Sequence, residues 1–370
     1  MNRRLARTAL PAAATLALTV IGAGAAEAAG PSTAGSRVVG HVYEATNDAA
    51  GNAVQVFDRT ADGRVLAGPL VPTGGLGAGA SLHSQYGVVR SGNLLFVVNG
   101  GDSTVSTLAI TKHGLVWRDT ESSHGTLPVS IAVHDAVAYV LNQGSDTVAG
   151  FFVGSDGHLR PIPGSTRALT PAPGGANTAA AEVAFTPNGR TVVVTEKATN
   201  VIDTFAVHGA YLSGAVAHAS AGTTPYGFAF DGHAHLLVSE ATTGSVSSYR
   251  VTPSSFSTVA AALPDTQTAA CWLVVTGNGR FAYTVNAGTA TISSYRVAAD
   301  GSLALLDAVA GSTAAGSTPT DAILSPDSRS LYVRTATGVS AFAVAPDGSL
   351  SATGTATADV VAGTAGIAAD

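Results

Sequence analysis

The sequence is poor in cysteine and in charge. Cys271 is the only cysteine among 370 residues, so no disulfide can form within the chain. Charged residues make up 11% of the sequence, and the net charge is −6. Because nucleic-acid binding depends on a basic surface, this composition predicts no nucleic-acid partner.

The motifs of common catalytic and metal sites are missing as well. The sequence has no HExxH, no CxxC and no G-x-S-x-G motif at a strand-to-helix turn. The loops Asn99–Asp102 and Asn142–Asp146 offer oxygen ligands for Ca²⁺ but do not follow the EF-hand pattern. We therefore expect neither a metal nor another cofactor. Cys271 lies in the apolar run Ala269–Val275, which is typical of a buried small hydrophobe rather than a catalytic thiol.

The N-terminus has the pattern of a signal peptide. A positive region, an apolar run and a small-x-small cleavage site follow one another: Arg3, Arg4 and Arg7, then Ala9 to about Ala23, then Ala26–Ala28. We predict a signal peptide over 1–28, a disordered lead-in over 29–37 and a secreted protein without membrane contact after cleavage. An uncleaved anchor is the alternative, although the run is short for one. The twin-arginine and general export routes both stay open.

What the sequence does contain is a repeat. Residues 279–303 read as a turn, a strand over Phe281–Asn286, a second strand over Thr291–Val297 and an Asp-Gly turn. The first of these strands recurs at seven places: VGHVYEATN (39–47), NLLFVVN (93–99), AVAYVLN (136–142), RTVVVTE (190–196), AHLLVSE (234–240), RFAYTVN (280–286) and RSLYVRT (329–335). Each copy reads as four short strands, which predicts an all-β, seven-bladed β-propeller of four-stranded antiparallel blades, a single domain over 38–370.

The first copy lacks the apolar run that precedes the others. A matching run, GTAGIAAD, occurs at the other end of the sequence, over 363–370. We predict that this C-terminal segment forms the innermost strand of blade one. Main-chain hydrogen bonds would then close the ring and leave no free strand edge at the seam.

Two sets of loops should meet at one mouth of a propeller channel, and the sequence places acids there. Glu182, Glu196, Glu240 and Asp321 are predicted to share one face, where neighbouring carboxylates shift one another's pKa and can act as acid and base. The alternative is that these strand-end residues cap loops, since other copies carry plain asparagine. The remaining candidates at this mouth are His83, Gln85, Lys197, Tyr226, Asn99, Asn142 and Asn286.

The repeats resemble a known family. AYTVN, AYVLN and LFVVN, each followed by T-[VI]-[SA]-x-[FY], are similar to the YVTN-type repeats of the propeller lactonases. That family includes bacterial 6-phosphogluconolactonase and fungal carboxymuconate cyclase, and we expect a secreted, actinobacterial-type member. The resemblance implies a metal-free site at the channel mouth that opens or forms a lactone ring. It also implies that Glu182 and Glu196 occupy the acid positions.

The sequence departs from the family at two positions. Tyr226 stands where catalytic members usually carry Arg or His, and no Arg follows Asn142. Because a phosphate needs a cationic clamp, these changes argue against a phosphorylated sugar lactone.

Two functions fit these observations. The first is a monomeric lactonase-like hydrolase of a small lactone. Glu182 or Glu196 would activate water, and His83 or Lys197 would stabilise the oxyanion, with Gln85, Tyr226, Glu240, Asp321 and the three asparagines binding substrate. The second is a non-catalytic extracellular propeller that binds a polysaccharide, peptide or protein.

Overall fold

Seven antiparallel sheets make up the protein in this computed structural model, which describes residues 37–314, 316–358 and 366–370. The sheets follow one another along the chain and form the blades of a ring, so the predicted seven-bladed β-propeller is confirmed. The predicted signal peptide and residues 29–36 of the lead-in lie outside the described residues. Among the described residues, no helix is both long and apolar enough to span a membrane.

The strands are numbered in chain order. Blade one takes three strands from the start of the described chain and one from its C-terminal end. Blade one contains β1 (Val38–Ala45), β2 (Ala53–Thr60), β3 (Val65–Pro72) and β30 (Ile367–Ala369). Blade two contains β4 (Val88–Ser91), β5 (Leu94–Asn99), β6 (Thr104–Thr111) and β7 (Gly114–Ser122). Blade three contains β8 (Pro128–His134), β9 (Val137–Asn142), β10 (Thr147–Val153), β11 (Leu159–Pro161) and β12 (Arg167–Ala168).

The other four blades follow the same plan, with the outer strand of blade four in two pieces. Blade four contains β13 (Ala180–Phe185), β14 (Thr191–Glu196), β15 (Val201–His208), β16 (Tyr211–Leu212) and β17 (Val216–Ala219). Blade five contains β18 (Pro225–Phe230), β19 (His235–Glu240), β20 (Ser245–Thr252) and β21 (Ser255–Pro264). Blade six contains β22 (Ala270–Val275), β23 (Phe281–Asn286), β24 (Thr291–Val297) and β25 (Leu303–Ser312). Blade seven contains β26 (Pro319–Leu324), β27 (Ser330–Thr335), β28 (Gly338–Val344) and β29 (Leu350–Thr357). Two short 3-10 turns cover Gln143–Ser145 and Pro173–Gly175.

The repeat unit folds as its residue types predict. Both strands predicted in blade six have the bounds read from the sequence, as β23 and β24. The turn after β24 needs a glycine, because Gly301 adopts a φ of 87° and its backbone passes close to the His235 ring. The side chain of Asp300 supports the turn by accepting a hydrogen bond from the Ser302 N–H at 3.0 Å.

The C-terminal strand closes the ring. β30 pairs antiparallel with β1, with Val42 opposite Ala369 and Glu44 opposite Ile367. The Asp370 carboxylate accepts hydrogen bonds from the Tyr43 hydroxyl at 2.5 Å and the His41 N–H at 2.6 Å. The predicted closure in blade one is therefore confirmed for residues 366–370, whereas residues 363–365 of the predicted segment lie outside the described residues.

The core consists of the apolar layers between neighbouring blades. Strand residues such as Phe205, Tyr249 and Tyr283 are fully buried there. Tyrosine hydroxyls also tie blades together: Tyr139 donates to the Ala210 carbonyl at 2.7 Å, and Tyr283 donates to the Gly348 carbonyl at 2.9 Å. These contacts fix each blade against the next, so the inner strands form a rigid wall around the channel.

Candidate active site at the front of the channel

The inner strands of five blades share a β-bulge near their first residue. The register shifts between Pro128 and Ser130, and at the equivalent places in β13, β18, β22 and β26. We call the end of the channel where the inner strands begin its front, and the end where they finish its back. A bulge redirects the side chains that follow it, so these positions decide what faces the front of the channel.

A segment of the chain crosses the front of the channel. It comprises residues 82–87 and is called here the central segment. Gln85 donates to the Leu273 carbonyl at 2.8 Å and accepts a hydrogen bond from the Leu273 N–H at 3.0 Å, so it pairs with blade six as a strand would. Ser84 donates to the Val129 carbonyl of blade three at 2.8 Å.

Further hydrogen bonds hold the central segment across the front of the channel. The Trp272 indole N–H donates to the Ser84 carbonyl at 2.9 Å, and the Gln85 N–H donates to the Ala181 carbonyl at 3.2 Å. Gly227 leaves room for the segment, because a Cβ there would lie 2.1 Å from the Gln85 amide oxygen. The predicted binding residue Gln85 is therefore fully buried as an anchor of the central segment.

Lys197 and His83 meet on the outer side of the central segment. The Lys197 ammonium donates to the His83 carbonyl at 2.5 Å and lies 4.8 Å from the centroid of the Tyr226 ring. Tyr226 in turn makes an edge contact with Trp272 at 5.5 Å. The His83 side chain is exposed, and the Lys197 side chain is half-buried. The structure thus brings together three of the predicted site residues, His83, Lys197 and Tyr226.

Burial shifts the pKa values of the side chains around Lys197. Partial desolvation lowers the pKa of Lys197 to about 8. Burial, and then the charge of Lys197, lower the pKa of His83, so its imidazole is neutral near pH 7. Burial raises the pKa of the neighbouring Cys271 thiol to about 12. That thiol is 8% exposed, which confirms the prediction of a buried cysteine.

Glu182 and Asp321 lie deeper, on the inner side of the central segment. Both are fully buried, and Glu182 accepts one hydrogen bond from the Phe228 N–H at 2.6 Å. Burial raises the pKa of Glu182 well above its ordinary value and that of Asp321 to about 8, so the Asp321 carboxyl is largely protonated near neutral pH. Each acid retains one buried oxygen without a hydrogen-bond partner, Oε1 in Glu182 and Oδ2 in Asp321.

A buried ion pair beside Asp321 was not predicted from the sequence. Arg334 is fully buried in β27, and its Nε lies 2.5 Å from a carboxylate oxygen of Glu44 in β1. The same guanidinium donates to the Thr320 hydroxyl and faces Asp321 across the strand pair. A signal was available, because an arginine in the otherwise apolar strand SLYVRT requires a buried counter-charge.

The prediction that Glu196 and Glu240 share a face with Glu182 and Asp321 is wrong. In blade four Glu182 lies opposite Thr195, in the same register as Val183 opposite Val194, so Glu196, one residue further along, points to the other side of the sheet. Glu196 instead accepts a hydrogen bond from the Thr199 hydroxyl at 2.6 Å.

The other strand-end residues occupy the same position as Glu196, and they make hydrogen bonds to neighbouring strands and loops. Glu240 accepts a hydrogen bond from the Ser220 hydroxyl at 2.6 Å, and Asn142 donates to the Ser123 carbonyl at 3.0 Å. Asn99 and Asn286 donate to serine hydroxyls of the next strand at 2.8 and 2.9 Å. All four are fully buried, so none of them lines the front of the channel, and the loop-capping alternative describes them.

The family model described as Lactonase, 7-bladed beta-propeller matches residues 134–257. The chain has the fold of the lactonase propellers. Among solved structures it is similar to a proposed 6-phosphogluconolactonase of Bacteroides uniformis, with 16% identity, TM-score 0.72, and 90% of this chain and 99% of that chain covered.

Two further solved structures show the same fold. The periplasmic gluconolactonase of Pseudomonas aeruginosa has 17% identity and TM-score 0.71, with 89% of this chain and 98% of that chain covered. A protein from Lactobacillus plantarum has 18% identity and TM-score 0.70, with 90% and 99% covered. No curated protein matches this chain. The partial family match supports the resemblance read from the repeats, while identities this low bear on the fold alone.

The chemistry available at the front is that of a neutral imidazole beside an ammonium group. His83 can take a proton from water near neutral pH, and Lys197 can donate hydrogen bonds to a developing oxyanion. Among the described residues, no group of three or more His, Cys, Asp or Glu side chains is placed to hold a metal ion.

Proposed function

We propose that the protein hydrolyses a small, uncharged lactone at the front of the channel, in a reaction that needs no metal ion. The observation that carries this proposal is the pairing of exposed His83 with Lys197, which is held by the His83 carbonyl and the Tyr226 ring. The family match over residues 134–257 and the lactonase names among the structural neighbours support the reaction class.

In the proposed reaction His83 acts as the general base. Its neutral imidazole accepts a proton from water, and the resulting hydroxide attacks the lactone carbonyl carbon. Lys197 stabilises the oxyanion of the tetrahedral intermediate by a hydrogen bond. The ring C–O bond then breaks, and the alkoxide takes up the proton held by His83, which gives a hydroxy acid.

Glu182 is the competing candidate for the base, as the family resemblance implies. In this structure its carboxyl is fully buried, and burial raises its pKa well above the ordinary value. This disfavours the charged form that a general base needs, which favours His83. Lys197 is the one cation in the group described at the front, so an uncharged lactone suits the site better than a phosphorylated one.

The test is the hydrolysis of δ-valerolactone and glucono-δ-lactone by the wild type and by three variants. We expect His83→Gln and Lys197→Met each to lower kcat/KM by about 10²-fold or more, since general-base and oxyanion groups each contribute on that scale. Glu182→Gln should stay near the wild-type rate, and activity should survive EDTA. Loss of activity in Glu182→Gln alone would assign the base to Glu182 and refute this mechanism.

The position of the central segment across the channel favours a second function, ligand binding without catalysis. The central segment fills the front, and the acids behind it are inaccessible, as expected of a propeller that binds a ligand without turnover. A thermal-shift screen with lactones and oligosaccharides separates the two functions, because a bound ligand stabilises the folded state whether or not it reacts. Stabilisation by a sugar without lactone turnover would support the binding function.

We also propose that the protein is exported and acts outside the cell as a monomer, with no nucleic-acid or membrane partner. The residues of the N-terminal signal pattern support export. Mass spectrometry of protein from the culture medium should find a mature N-terminus at Ala29, and retention of residues 1–28 would contradict cleavage. The actinobacterial origin stays a prediction.

A further inference from the structure

The back of the channel contains a cavity separate from the His83–Lys197 pair. It has a volume of about 390 Å³ and is lined mainly by apolar side chains from five inner strands, among them Ile131, Val183, Phe185, Leu324 and Ile367. This volume lies within the range of small-molecule sites. An adjoining cavity of about 390 Å³ shares Phe185 and Leu324 with it.

Tyr86 marks the inner end of this back cavity. Its side chain lines both cavities, and burial together with the charges of Glu182 and Asp321 raises its pKa. The central segment to which it belongs therefore separates the back cavity from the front of the channel. A ligand in the back cavity would not compete directly with one beside Lys197.

The ionisable groups that line the back cavity are both basic. Arg90 is exposed where β4 approaches its end, and its guanidinium makes no ion pair or hydrogen bond with the described residues. His134 is half-buried at the end of β8, with its ring 5.5 Å from that of Phe185. None of the described lining residues is acidic. The nearest acid to His134 is Asp135, which lies 3.8 Å away and is turned towards solvent.

We propose that the back cavity binds a small amphipathic monocarboxylate, with the apolar chain inside the channel and the carboxylate at Arg90. The apolar lining accounts for the alkyl chain, because removing each methylene from water favours binding. The absence of acids among the described lining residues, together with the guanidinium at the opening, accounts for the choice of an anion. A neutral alcohol of the same length keeps the first contribution and loses the second.

The experiment compares octanoate, octan-1-ol and octylamine by calorimetry with the full-length protein. We expect octanoate to bind with one site per chain and at least about tenfold more tightly than octan-1-ol, a difference of about 1.4 kcal/mol. Octylamine should bind no better than the alcohol. Equal binding of all three ligands, or no binding of octanoate at millimolar concentration, would overturn the proposal.

Two variants locate the site. Arg90→Gln should weaken octanoate about tenfold and leave octan-1-ol within about twofold. Arg160→Gln, which removes an exposed arginine from the outer strand β11, is the matched control and should change neither. An effect of Arg160→Gln as large as that of Arg90→Gln would reduce the result to general charge attraction and refute the site.

Filling the cavity tests whether the alkyl chain of the ligand lies inside it. Ala184 lines both cavities and is half-buried, so Ala184→Phe should abolish binding of octanoate and of octan-1-ol. The milder Ala184→Leu should weaken both ligands, and it covers the case in which the phenylalanine variant does not fold. Unchanged octanoate affinity in a folded Ala184 variant would place the ligand elsewhere and refute the proposal.

Discussion

The ring should lose much of its stability when residues 366–370 are deleted. The deletion exposes the β1 edge and removes the fully buried Ile367, and Ala368 and Ala369 with it. Burial of an isoleucine contributes about 1.5–3 kcal/mol, and the two alanines together about 1.6 kcal/mol. The Asp370 carboxylate makes charge-assisted hydrogen bonds to Tyr43 and His41, each worth about 1.5–3 kcal/mol where well formed.

These contributions add up to about 6–11 kcal/mol of unfolding free energy. The entropy of unfolding of a domain of this length is about 0.7 kcal/mol/K, so Tm should fall by about 9–15 °C. Differential scanning calorimetry of the full chain and the deletion variant measures the difference.

A point variant distinguishes the contribution of the Asp370 carboxylate from that of strand β30. Asp370→Asn should lower Tm by a few degrees, because the amide cannot replace both hydrogen bonds of the carboxylate. Asp135→Asn, at an aspartate whose side chain is 91% exposed, is the matched control and should melt like the wild type. A deletion variant that melts within about 2 °C of the full chain would refute the idea that β30 stabilises the ring.

Three further predictions concern the buried polar groups. Arg334→Met should lower the unfolding free energy by about 3–5 kcal/mol in urea titrations, because it leaves Glu44 buried without its counter-charge. The isosteric variant Thr199→Val is the control and should lower the unfolding free energy far less. The folded-state pKa of Glu196 is raised to about 8, so the folded protein keeps a proton that the unfolded chain releases above its ordinary pKa of 4.5. Stability should therefore fall by up to about 1.4 kcal/mol per pH unit between pH 5 and 8, and Glu196→Gln should flatten that decline; an unchanged slope would contradict it. Gln85→Ala should lower the unfolding free energy by about 1–3 kcal/mol, since it leaves the Leu273 backbone groups unpaired, and a Tm equal to that of the wild type would contradict the anchoring role.

The architecture could be predicted from the sequence because it follows from local patterns. The recurring strands, the Asp-Gly turn and the matching of GTAGIAAD to the missing run of the first copy depend on residue type and spacing alone. The bounds of β23 and β24 agree with the sequence for the same reason. Closure follows from counting, since one copy lacks a strand that the other end supplies.

The site was harder to predict because it depends on register and on long-range contacts. Whether Glu182 and Glu196 share a face depends on the register of β13 against β14, which places Glu182 opposite Thr195. The insertion of the central segment depends on a contact between Gln85 and Leu273, which are 188 residues apart. His83, Lys197 and Tyr226 were identified as polar or aromatic residues at loop positions, but their mutual contacts come from that insertion.

The central segment also bears on how the molecule reaches its native state. Its side chains and backbone need acceptors and donors on blades three, four and six. Most of the blades must therefore be assembled before the central segment can dock. Because contacts so distant in sequence carry a large loop-closure cost, we expect them to form late in folding. Glu182 and Asp321 should then stay accessible to water until the central segment docks.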